Sequence, residues 1–143
     1  MHIIEPATPD EFEKYYHLRY LTLRQPWGQP EGSERAPDDA TAIHAMLVEE
    51  NGDAIGVCRL HLQTPQEAQL RFMGIHEKYQ GKGLGKLLLD YLEDKARSMG
   101  AQTIVLQARE KAVSFYERNG YAIVEKTHLL FGTIQHYKME KQL

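Results

Sequence analysis

Between a strand-like apolar run and a helix-like run lies Gln80-Gly81-Lys82-Gly83-Leu84-Gly85-Lys86. Glycines at alternate positions let a backbone turn tightly and approach a ligand with no side chain between. The first N–H groups of a helix have no intrahelical partner, and the helix dipole favours an anion beside them. Gln80, Lys82 and Lys86 add donors and positive charge. The spacing therefore predicts a pyrophosphate cradle, and it forces the order strand, tight turn, helix at this point. A P-loop does not fit: Gly81 and Gly85-Lys86 stand one residue too close, and Leu87 occupies the place of a magnesium-binding hydroxyl. A dinucleotide-binding turn does not fit either, because Lys86 holds the third glycine position and the segment follows a meander. A purely structural glycine turn is the remaining alternative.

The rest of the chain follows from period and punctuation. His2 to Glu5 reads as a short strand. Thr8-Pro9-Asp10-Glu11 is a helix start with a capping box and proline in the first turn. Phe12, Tyr16, Arg19 or Tyr20, and Leu23 recur at three and four, which gives that helix one face to bury. Gln25 to Asp39 is irregular and carries the only tryptophan, Trp27, which either walls a site or pins the loop to the core. His44 to Glu50, Asp53 to Leu62 and Glu67 to Ile75 read as an antiparallel meander, turned at Asn51-Gly52 and Thr64-Pro65. The Asn51-Gly52 pair suits a turn with two positive φ angles. Leu84 to Met99 has helical spacing and stops at Gly100. A strand at Gln102–Gln107, a short helix at Glu110–Asn119, and strands at Tyr121–Lys126 and Ile134–Lys141 complete a mixed α/β fold, a meander followed by βαβαβ.

At 143 residues, this is one domain, 1–143, with ordinary globular composition. No apolar run reaches the roughly 18 residues of a membrane span, and no signal peptide is visible, so a cytoplasmic address is expected. The one cysteine, Cys58, excludes an internal disulfide and reads as a buried, inert thiol. No histidine spacing suits a metal site, and no basic patch with interleaved aromatics suits nucleic acid. Residues 1–56 hold 11 acidic and 4 basic residues, residues 57–143 hold 9 and 13, so the two halves have opposite sign.

Gln80-x-x-Gly83-x-Gly85, after Arg71-Phe72-Met73-Gly74-Ile75, resembles the acetyl-CoA motif of the GNAT (GCN5-related) N-acetyltransferase superfamily. Ala112-Val113-Ser114-Phe115-Tyr116, running to Gly120-Tyr121, is similar to its second motif, and the order of elements fits along nearly the whole chain. The resemblance implies a splayed sheet with acetyl-CoA in the V between the fourth and fifth strands. It implies pantetheine along Met73, Gly74 and Ile75, pyrophosphate on Gln80, Gly81, Lys82, Gly83, Leu84, Gly85 and Lys86, and further cofactor contacts from Phe115 and Arg109. Arg109 stands where many members carry an asparagine, so the family's amide contact is not carried over to it.

The reaction so implied is direct attack of an amine on a thioester. Tyr116 is then the acid for the leaving thiolate; from position alone, beside Phe115, it reads as a core aromatic. His61, Glu67 and His136 are candidate bases, with His136 the first choice. Arg24, Trp27, Glu31, Glu34, Arg59, His61, His128 and His136 are candidate linings of an acceptor site, of which Trp27, Arg59 and His61 are taken as substrate-binding. The acceptor is expected to be a small-molecule or peptide amine: the acidic first half suits a cationic acceptor, whereas Arg24, Arg59 and Arg71 suit the carboxylate of an amino-acid-like one, and the sequence leaves both open. A homodimer is left open, and a domain that senses acetyl-CoA without turnover is the rival reading.

Overall fold

The computed structural model describes residues 1–143. Its strands are β1 (His2–Ile4), β2 (Ile43–Val48), β3 (Ala54–Leu62), β4 (Glu67–Ile75), β5 (Thr103–Arg109), β6 (Ala122–Leu130) and β7 (Ile134–Gln142). Its helices are α1 (Pro9–Leu23), α2 (Gly85–Ser98) and α3 (Val113–Arg118). The strands form one seven-stranded mixed sheet in the order β1-β2-β3-β4-β5-β7-β6. No helix is long and apolar enough to cross a membrane.

The chain divides into two compact units, one of residues 1–61 with 72–92, the other of residues 62–71 with 93–143. In the first unit, α1 begins as its sequence requires. The Thr8 hydroxyl accepts the Glu11 N–H, the Glu11 carboxylate accepts the Thr8 N–H, and Pro9 opens the first turn. Its buried residues are Tyr15, Leu18 and Arg19; of the expected face, Phe12, Tyr16, Arg19 or Tyr20, and Leu23, only Arg19 is fully buried and the others are half-buried. Tyr15 and Leu18 join Met46, Val48 and Val57 in the core, with Phe12 and Tyr16 partly buried against it. The β2–β3 hairpin also departs from expectation. Only Gly52 takes positive φ; Gly52 N–H donates to the Glu49 carbonyl and Asn51 accepts the Asp53 N–H with its side chain.

In the second unit, the first half of β4 runs parallel to β5, and their ladder extends from Glu67–Thr103 to Leu70–Leu106. β7 lies antiparallel to both β5 and β6. α3 ends at Gly120, whose φ of 93° is a left-handed cap. There the Gly120 N–H donates to Glu117 and the Tyr121 N–H to Tyr116. That cap folds the Tyr121 ring against Tyr116, centroids 5.7 Å apart. Beneath it, buried Glu93 accepts hydrogen bonds from the Tyr121 hydroxyl at 3.0 Å and the Lys141 ammonium at 2.9 Å. Lys141 also donates to the Asn119 carbonyl, which fixes the exit of α3.

Candidate active site

In the first unit the glycine segment turns as predicted. Gly81 and Gly83 have φ of 77° and 75°, a region costly for any side chain. A Cβ built on either meets no atom within 4 Å, so the outer side of the loop is open. The Gln80 amide donates to the Ile75 carbonyl at 3.0 Å and ties the loop to the end of β4. The Lys86 and Leu87 N–H groups bond back to Gly83 and Leu84, and α2 follows at once. Lys82 lies over the Tyr79 ring at 5.6 Å, and exposed Lys86 pairs with Asp90 one turn on. An open cradle with two lysines at a helix start fits a diphosphate.

Gly74 is buried for a different reason. A Cβ there would lie 2.2 Å from Thr22 Oγ1, so its bare backbone lets α1 pack on β4. Just before it, Phe72 takes a φ of 59°, a strained backbone for a bulky residue. Three guanidiniums surround its ring: Arg19 at 4.1 Å, Arg59 at 5.4 Å and Arg24 at 5.6 Å from the centroid.

Arg19 and Arg59 are both fully buried. Asp39 bridges them, with Oδ2 2.9 Å from Arg19 and Oδ1 2.9 Å from Arg59. Asp38 takes a second, forked contact from Arg59. Burial alone would raise the Asp39 carboxyl; the Ala36 N–H and the two guanidiniums outweigh it and hold it down at about 2. Arg19 also donates to the Tyr15 hydroxyl and the Glu34 carbonyl, and His44 bonds Tyr15 and the Asp39 carbonyl. Burial depresses the His44 imidazole and raises the Tyr15 phenol. This network clamps residues 34–39 onto α1 and β3.

The network corrects one sequence expectation. Arg59 does not line an acceptor site: it is spent inside the fold on Asp38 and Asp39. Glu34 is likewise buried, accepting the Gly32 N–H at 2.7 Å. His61 is half-buried on β3 beside this cluster, and Trp27 closes a single 3-10 turn, Gln25–Trp27, also half-buried. Glu67 opens β4, a strand length of about 26 Å from Ile75 and the glycine loop. Burial pushes Cys58 up to about 12, which makes it inert as read.

In the second unit, Tyr116 is buried in α3 and its ring packs on Phe115 at 5.1 Å as well as on Tyr121. Phe115 is half-buried beside it. Arg109 ends β5, opposite His136 on β7. His136 is 7% exposed and sits 3.0 Å from the Ile134 carbonyl through Nδ1. A carbonyl only accepts, so Nδ1 carries the hydrogen and Nε2 is the basic nitrogen of the neutral ring. Burial lowers its basicity, with His128 and Arg109 adding to that effect and the Ile134 hydrogen bond opposing it.

Known proteins resemble this chain along most of its length. The profile described as Acetyltransferase (GNAT) family matches residues 8–121. The [ribosomal protein bS18]-alanine N-acetyltransferase of Haemophilus influenzae is 32% identical, over 87% of this chain and 84% of that protein. The uncharacterized N-acetyltransferase YdgE of Bacillus subtilis is 25% identical, over 84% and 91%. Among solved structures, an aminoglycoside 6′-N-acetyltransferase complexed with coenzyme A superposes with a TM-score of 0.82 at 20% identity, covering 99% of this chain and 97% of that one.

Proposed function

The chain belongs to the acetyltransferase (GNAT) family, and on that premise we propose that it moves the acetyl group of acetyl-CoA onto a primary amine of a small-molecule or peptide acceptor by direct attack. The observation that carries the reading is the open glycine loop, Gly81 to Gly85, with Lys82 and Lys86 at the start of α2. It holds the diphosphate; Met73 to Ile75 receive the pantetheine arm along their backbone.

Acetyl-CoA supplies an activated acetyl group as a thioester. His136 Nε2 takes one proton from the incoming ammonium and leaves its electron pair on nitrogen. Backbone N–H groups at Met73 to Ile75 steady the charge that grows on the carbonyl oxygen, worth about 3 kcal/mol per well-aimed donor. As the carbon–sulfur bond breaks, the Tyr116 hydroxyl gives its proton to sulfur. The second amine proton is then shed and restores Tyr116. A phenol near 10 giving to a thiolate near 8.5 is mildly uphill in water, so the enclosed setting of Tyr116 has to close that gap.

The acidic first half of the chain, and relatives named for an aminoglycoside and for a ribosomal-protein alanine, favour a cationic acceptor. The test is a panel of kanamycin, spermidine, lysine and an alanine-initiated peptide, with acetylated product and free thiol measured together. One or more should be acetylated with thiol released one for one. Tyr116→Phe keeps the ring that packs on Tyr121, so it should fold normally, keep its acetyl-CoA affinity and lose turnover by about 10²-fold. Unchanged turnover would remove Tyr116 from the mechanism.

A further inference from the structure

β6 carries a bulge whose effect reaches His136. Lys126 is paired with Tyr137 and Leu129 with Gln135, so two residues, Thr127 and His128, stand against His136 alone. In a regular ladder Thr127 would oppose His136, and His128 would oppose Gln135 on the other face of the sheet. The extra residue re-aims His128. Its ring lies on the His136 ring with centroids 4.5 Å apart and planes 14° from parallel.

The bulge is held open by named bonds. The Gln135 amide donates to the carbonyls of Thr127 and His128, each at 3.4 Å, and of His136 at 3.0 Å. The Thr127 hydroxyl donates to the Gln107 side-chain carbonyl on β5. These groups keep the irregular backbone satisfied where the ladder is interrupted.

We propose that His128 is a positioning residue: presented by the bulge, it holds the plane of the His136 ring, whose Nδ1–H is bonded to the Ile134 carbonyl, so that Nε2 accepts the acceptor's proton. This rests on the reading of His136 as the base. Two contacts define the ring. The Ile134 carbonyl fixes its in-plane rotation, and the His128 face fixes its plane. The charged or titratable neighbours facing His136 are Arg109 on β5 and His128 on β6. Both disfavour a positive charge on the His136 ring. In the transfer step the N–H bond of the ammonium breaks, an Nε2–H bond forms, and the freed electron pair attacks the thioester carbon.

The test is an imidazole NMR titration of the wild type, His128→Asn and His128→Phe, with acetyl transfer to the best amine of the panel measured from pH 5.5 to 9. In the wild type His136 should show the Nδ1–H tautomer and titrate below a free imidazole. His128→Asn removes the ring and its electrostatic effect on His136: His136 should titrate higher, and the acid limb of kcat/KM should move up with it. His128→Phe keeps an aromatic face, so the tautomer should persist while the titration still moves up through loss of that electrostatic effect. A wild-type His136 carrying its hydrogen on Nε2, or a titration unmoved in His128→Asn, overturns the proposal. A limb that stays put while the NMR titration moves overturns the link to catalysis. His136→Gln separates this from failure of the base itself: unchanged turnover there refutes His136 as the base and leaves the His128 contact to the NMR result. If no amine of the panel is acetylated, the proposed transfer to these acceptors fails, and the tautomer and titration still decide the positional claim.

Discussion

Asp39 is the residue on which the first unit's polar interior turns. It is the anion shared by two fully buried guanidiniums, and a buried pair that loses one partner typically costs about 3–5 kcal/mol. Asp39→Asn should therefore be destabilised by an amount of that order at pH 7, somewhat less because Asp38 still serves Arg59. The folded carboxyl titrates at about 2 against a usual value near 3.9, so its stabilising share is complete above about pH 4 and is lost as the pH falls toward 2. Urea unfolding at pH 7 and at pH 2.5 should show the gap between wild type and Asp39→Asn narrowing at the lower pH. A gap that does not change with pH would mean that Asp39 is not ionised in the fold. Arg19 stood on the face of α1 expected to be buried, but its partners were not legible in the sequence. A buried arginine breaks the apolar stripe of a helix, and Arg19 is buried only because Asp39, twenty residues on, neutralises it. For the same reason Arg59 read as a ligand contact when it is an internal one. Local chemistry fared better: Thr8 and Glu11 cap each other across three residues, and no tertiary partner is needed to see it.

At the scale of elements, α1 and β4 are held at a distance that only glycine permits. In Gly74→Ala the new Cβ would meet Thr22 Oγ1 at 2.2 Å while that hydroxyl is bonded to the Leu18 carbonyl. Relief requires α1 to shift, at a cost of about 1–3 kcal/mol. A melting temperature lowered by several degrees is expected; no change would mean that the α1–β4 contact is slack. The element order and most strands were readable because turns and glycine caps punctuate them. Gly100 and Gly120 stop their helices as read, with φ of 89° and 93°. β6 runs four residues further than expected, to Leu130, because Thr127 and His128 form a bulge rather than an end. Bulges are set by register with a partner strand, here β7, and sequence period alone does not reveal them. The tip of that hairpin places Phe131 at a φ of 53° beside Gly132. Phe131→Asn should raise stability by about 1 kcal/mol, since asparagine tolerates this conformation better than phenylalanine. A lower melting temperature for Phe131→Asn would mean that packing of the ring outweighs the backbone strain.

For the molecule as a whole, the turn of the glycine loop was the most legible feature of the candidate site, because it is set by backbone and spacing within seven residues. The candidate acceptor residues were less legible, because the exposure of a side chain such as Arg59 depends on partners far away in sequence. The central claim is that this loop grips the diphosphate of acetyl-CoA, and the most direct test is a calorimetric titration of wild type and Gly83→Glu with acetyl-CoA and with ATP. The loop is open above Gly83, so a glutamate there is accommodated by the fold at about 1 kcal/mol of backbone strain while setting a negative charge against the phosphates. Acetyl-CoA should bind the wild type at least tenfold more tightly than ATP. Gly83→Glu should weaken acetyl-CoA by 100-fold or more, about 2.7 kcal/mol, in a protein that still unfolds cooperatively. Retained acetyl-CoA affinity in folded Gly83→Glu, or no binding to the wild type at all, would contradict the account.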